Sequence, residues 1–195
     1  MIKRIVLILF LAGISTVTGF SQDVGLKVNL LYGATATPNL GLELGLGKRT
    51  SLDFLVGYNP FNNEALSSTD NIGKKKLVHV LVQPEFRYWL CERFNGHFFG
   101  LHGTYASYNI AKYDIPGLFE KEWRYEGYAV GAGLGYGYHW IWNKHWGMEF
   151  NVGVGYLYMK YDKYPCKACV PAEEENVVKH YFGPTKAGIS LVFVF

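Results

Sequence analysis

The chain has 195 residues, a length that suits one good-sized domain. Only 18% of the residues are charged, 17% are aromatic and 23 are glycine. That mixture excludes a disordered chain and argues against a helical bundle, because glycine weakens helix interiors. A formal net charge of +3 without a basic stripe gives no footing to nucleic acid as a partner.

The N-terminus reads as an address. Lys3 and Arg4 precede an uncharged run from Ile5 to Ile14, too short to span a bilayer, which needs roughly 20 apolar residues. Small and polar residues follow, and the pattern predicts a cleaved secretory signal over 1–21 with a mature domain over 22–195. From there the hydrophobic period is two, the period of a strand. Alternation predicts strands over Leu26–Gly33, Leu40–Leu46, Leu52–Tyr58, Val78–Tyr88, Phe98–Ile110, Tyr125–Trp142, Trp146–Tyr158 and Ala187–Phe195. Tight turns at Gly47–Thr50, Cys91–Gly96 and Asn143–His145 alternate with longer connections at Asn59–Lys75, Ala111–Trp123 and Lys160–Lys179. The expected fold is therefore all-β: an eight-stranded antiparallel transmembrane up-and-down β-barrel, with short turns at one end and long loops at the other.

Polarity sets the facing. A soluble barrel keeps its apolar face inside and shows water a charged exterior. Here the second face is mostly glycine with a few charges, while Tyr58, Tyr88, Trp140, Trp142, Trp146 and Tyr158 lie toward strand ends, as membrane girdles do. With the apolar face outward, Lys27, Arg87 and Lys186 point into the lumen together with Glu43, Asp53, Glu85 and Glu149. An eight-stranded barrel is just wide enough for side chains to fill it, and unpaired buried charge is costly. The expectation is a paired network that plugs the lumen.

Four further features carry candidate chemistry. Cys166 and Cys169 form a CxxC in the longest loop, read as a disulfide outside the cell. A zinc site would need two more ligands, for which only Glu173–Glu175 and His180 are near, and Cys91 lies at the opposite end. His102 with Thr104 invites comparison with barrel hydrolases, but no Ser or carboxylate stands in sequence to complete a nucleophile–base pair, so His102 and His139 read as lumen fillers. Gly131–Gly137 alternates within a strand, whereas a phosphate loop joins a strand to a helix. Lys74–Lys76 forms a small basic cluster that reads first as a solvated loop base, with contact to lipopolysaccharide phosphates as the alternative. No cofactor or metal is expected.

The segments KVNLLYGATATPNLGLELGLGKR, LVQPEFRYWLCERFNGHFFGLH, YEGYAVGAGLGYGYHWIW, YDKYPC and GPTKAGISLVFVF resemble a family of small outer-membrane proteins from Bacteroides-like bacteria, defined only as a domain of unknown function. More broadly the chain is similar to the membrane domain of OmpA-like barrels. Phe195, with Phe193 and Leu191 before it, resembles the C-terminal signal read by the barrel-assembly machinery. Members of such a family are commonly encoded near fimbrial and other surface-protein genes. The resemblance implies an outer-membrane location with extracellular loops and a periplasmic N-terminus, in contact with outer-membrane lipid and lipopolysaccharide. It also implies a surface or fimbrial protein as partner. The function expected is a non-enzymatic surface scaffold or accessory, with a narrow pore or a lipid A-modifying enzyme as alternatives.

Overall fold

The computed structural model describes residues 24–60, 76–114, 118–165 and 172–195. The segment read as a signal, most of the connection between the third and fourth strands, and both cysteines of the CxxC lie outside them. The strands are β1 (Val24–Asn29), β2 (Asn39–Gly45), β3 (Thr50–Asn59), β4 (Lys76–Trp89), β5 (Gly96–Ala111), β6 (Trp123–Ile141), β7 (Trp146–Pro165) and β8 (Glu174–Val194). Each pairs antiparallel with the next, and β1 pairs with β8, so the sheet closes on itself as a barrel.

Two elements differ from the sequence reading. The first strand stops at Asn29 rather than Gly33, and Leu30–Thr35 form a 3-10 helix. Asn29 is the cause. Its side chain accepts from the Leu31 amide (3.1 Å), and its own amide donates to Asn39 Oδ1 (2.7 Å), which bends the chain out of the sheet. The second difference is larger. The expected loop Lys160–Lys179 is mostly strand, since β7 runs to Pro165 and β8 begins at Glu174. Lys160, Asp162, Lys163 and Lys179 hide an alternation in which Met159 and Tyr161 are buried and Val177 and Tyr181 pack against them.

β8 also changes parity along its length. Gly153 faces Lys186 but Val154 faces Pro184, which leaves Thr185 as the extra residue of a bulge. Below the bulge the even residues Lys186 and Ser190 are buried; above it the odd residues turn inward. In β5, Phe98, His102 and Thr104 point in and Phe99, Leu101 and Tyr105 point out.

The bare face of β6 and β7 lets the wall come close. A Cβ on Gly155 would lie 2.6 Å from the Gly133 Cα and against the Ala132 backbone, neither of which can swing aside. Gly155→Val is expected to destabilise the protein by about 1–3 kcal/mol through overpacking. Gly33→Ala, where the new methyl meets nothing within 4 Å, should stay within about 0.5 kcal/mol of the parent. Urea unfolding midpoints of the refolded variants check both.

Candidate functional site

The interior is organised by one guanidinium. Arg87 lies on β4 and is fully buried. Its Nε donates to Glu85 Oε2 (2.6 Å), Nη1 to Glu43 Oε2 (2.9 Å) and Glu149 Oε2 (2.7 Å), and Nη2 to Asp53 Oδ2 (2.9 Å) and Glu149 Oε1 (3.0 Å). These bonds engage all five N–H donors an arginine owns. The Phe98 ring lies beneath it, 4.4 Å from the Cζ. Lys27 on β1 reaches Glu149 Oε2 (2.7 Å), also contacts Glu43, and stands 3.6 Å from Asp53 Oδ1. Lys186 on β8 reaches Glu85 Oε2 at 2.9 Å. The seven charged residues read from parity thus meet in one cluster drawn from β1, β2, β3, β4, β7 and β8, each of them at most 7% exposed.

Uncharged residues complete it. Ser51 donates to Glu43 and accepts from Trp89 Nε1 (2.8 Å), and Asn151 donates to Glu149 Oε1 (2.8 Å). Ser51 and Trp89 lie on the parity of Asp53 and Arg87, so the alternation that exposes the charges could also have found them. β5 and β6 give space instead of charge: a Cβ on Gly135 would come 3.0 Å from Glu85 Oε1, and one on Gly133 2.8 Å from His102 Nε2.

His102 does not pair with Thr104, which accepts instead from Gln83 Nε2 (3.1 Å). Its partner is Thr185 Oγ1 on β8 at 2.8 Å, and Glu85 Oε1 stands 4.0 Å from its Nδ1. The sequence reading finds no carboxylate beside this histidine because the pairing of Glu85 with His102 is a matter of cross-strand register. A hydroxyl, an imidazole and a carboxylate in that order are the parts of an activated nucleophile. At 4.0 Å, however, the carboxylate is beyond hydrogen-bond reach of the ring, and His102 is only 1% exposed.

Both ends of the interior are filled with rings. Toward the turns, Trp89 packs on Phe98 (centroids 4.7 Å) and Phe94 (6.0 Å). Toward the loops, Phe119 packs on Tyr108 (5.4 Å) and Tyr125 (4.9 Å), with Met159 and Tyr161 in the same cluster. Cys91 is a free, exposed thiol at the turn end. Phe195 is exposed at that end beside Phe193, the ring centroids 5.0 Å apart, while Leu191 is half-buried on the last strand.

This arrangement defines a class: a closed, eight-stranded antiparallel sheet with a charged, filled interior and an apolar outer face. The chain belongs to the family described as Protein of unknown function (DUF3575), which matches residues 5–195. No curated protein and no solved structure matches it.

Removing Arg87 would leave four buried carboxylates facing two lysines. Arg87→Leu is expected to cost about 3–5 kcal/mol, the scale for breaking a buried ion pair from one side. Lys186→Met, which removes one close contact to Glu85, should cost less. Their urea midpoints in one detergent give the ranking.

Proposed function

We propose that this chain is a transmembrane barrel of the bacterial outer membrane that works as a non-enzymatic scaffold or accessory at the cell surface. The observation that carries the membrane part is the inverted polarity. Leu134 is 67% exposed, Val152 62% and Phe182 80%, while Glu43 and Arg87 inside are at 0%. Water does not stabilise such an outer face; hydrocarbon does. Exposed aromatic residues cluster toward both ends of the band, with Tyr88, Trp140, Trp142 and Trp146 near the turns and Tyr58, Tyr128 and Tyr156 near the loops. In this reading the turns face the periplasm and the loops face outward.

The scaffold part is supported by what fills the lumen and by what rises above it. The ion cluster and the two ring clusters occupy the space that a conducting path would need, which disfavours the pore. A membrane-spanning strand takes about 9–11 residues, whereas β6, β7 and β8 have 19, 20 and 21. The wall therefore extends well beyond the apolar band on the loop side. β1 pairs with β8 only over Ser190–Val194, so among the described residues no strand pairs with that edge of β8 above the Asn29 contacts to Ala187 and Ile189, which leaves it as a template for an extended segment of another protein. A fimbria-like surface protein is the partner we favour.

Two measurements test the two parts separately. With the protein reconstituted in bilayers of brominated lipid, fluorescence from Trp140, Trp142 and Trp146 should be quenched and that from buried Trp89 spared, read from single-tryptophan variants. Uniform protection would overturn the membrane reading. Tagged protein from gently solubilised membranes should bring down a stoichiometric surface protein, and the same preparation should be electrically silent in planar bilayers. Isolation without a partner, together with unchanged fimbriation in a deletion strain, would overturn the scaffold reading.

A further inference from the structure

The turn end of the barrel holds a cavity of about 880 Å³ that the interior cluster does not use. Three separate turns build its rim. Lys48 and Arg49 come from the first, Arg93 from the second, and Lys144 and His145 from the third, against the single carboxylate of Glu92. Lys48, Arg49 and Lys144 have no ion-pair partner among the described residues.

The turns are held in register with one another. The Arg93 amide donates to the Lys48 carbonyl (3.1 Å), its Nη1 donates to the Gly47 carbonyl (3.2 Å), and the Trp89 amide donates to the Arg49 carbonyl (2.8 Å). The third turn is tied to β8, because the Val194 amide donates to the His145 carbonyl at 2.7 Å. The basic side chains therefore project from a fixed frame.

A second observation points to a ligand. His139 lines the same cavity and is only 2% exposed; no side chain satisfies its ring nitrogens, which have only the Phe94 backbone and the Gly147 wall beside them. A buried imidazole below a rim in which Lys48, Arg49 and Lys144 lack an ion-pair partner among the described residues is an arrangement that an anion with several oxygens would complete. Leu90, Ile141 and Trp146, all exposed, add an apolar flank to the same cavity.

We propose that this cavity binds a phosphate group, with the rim cations holding its charge and His139 reaching one oxygen. The phosphate could be carried by an anionic phospholipid headgroup, whose acyl chains would lie along the apolar flank, or by a free soluble phosphate. Only the lipid source rests on the membrane reading; the chemistry of the cavity does not.

The test uses the full mature chain in neutral detergent, stripped of lipid. Native mass spectrometry with added phosphatidylglycerol or phosphatidylcholine reads lipid retention, and calorimetry with inorganic phosphate reads the free anion. Preferential retention of phosphatidylglycerol, weakened about tenfold or more in the Lys48→Ala/Arg49→Ala/Lys144→Ala variant, supports the site with a lipid source. Binding of inorganic phosphate that the same variant loses supports it with a soluble source. All three changes lie on exposed turn residues, so the variant is expected to fold, and His139→Phe adds a probe of the buried contact. Equal retention of the two lipids with no phosphate binding would overturn the proposal, as would a preference that the triple variant leaves intact. Failure of the brominated-lipid experiment with phosphate binding retained would remove the membrane reading and leave the site standing.

Discussion

A guanidinium sealed from water among four carboxylates is the constraint around which the rest of this barrel is arranged. Arg87 cannot be neutralised, so each of its five donors must find an acceptor within reach. Glu43, Asp53, Glu85 and Glu149 meet that demand from four strands, and Lys27 and Lys186 together with Arg87 offset three of the four negative charges they bring. Such a cluster is a weak source of net stability, because desolvation consumes most of its Coulomb energy. Its stronger role is in register. A slip of one residue between any two contributing strands would turn a charged side chain to the outer face and leave its partners buried alone. The two strands that contribute no charge, β5 and β6, instead carry Gly100, Gly133 and Gly135, whose missing side chains make the room that Glu85 and His102 occupy.

The same arrangement sorts the molecule into zones along its axis. Aromatic rings close the interior above and below the ion cluster, an apolar band surrounds it, and basic turns cap one end. The loop side is different in kind. Four walls, β5 to β8, continue upward with an interior of tyrosine, methionine and phenylalanine, while β1 to β3 stop early. The zone that holds the protein together and the zone on the loop side are therefore built from different parts of the same strands.

The sequence showed the strand count and the interior charges because alternation of two is unbroken wherever glycine or charge faces apolar residues, as from Gly127 to His139. It hid three things, each for a physical reason. Asn29 ends β1 where its backbone amide donates to the side chain of Asn39, ten positions away, which no local period reports. Above residue 159, charged residues on both faces of β7 and β8 mask the inward set of Met159, Tyr161, Val177 and Tyr181. The bulge at Thr185 reverses parity within one strand, so the Thr185 contact to His102 could not be read by counting from Lys186. Residues whose role depends on which strand lies beside them, such as Glu85 against His102, become visible only once register is known.

The brevity of β1 has a mechanical consequence. This strand meets β2 only from Val24 to Lys27 and β8 only from Gly25 to Asn29, whereas β6 and β7 are laced together from Trp123 to Ile141. A ring under lateral strain parts at its thinnest stave, and here that stave is β1. Lys27, at its centre, acts as a rivet driven through to the carboxylates of three other strands, and the Asn29 side chain clasps the seam by donating to the Ala187 carbonyl at 3.2 Å. The wall is thus a hoop with one designated joint, locked from within by charge rather than along its edge by backbone.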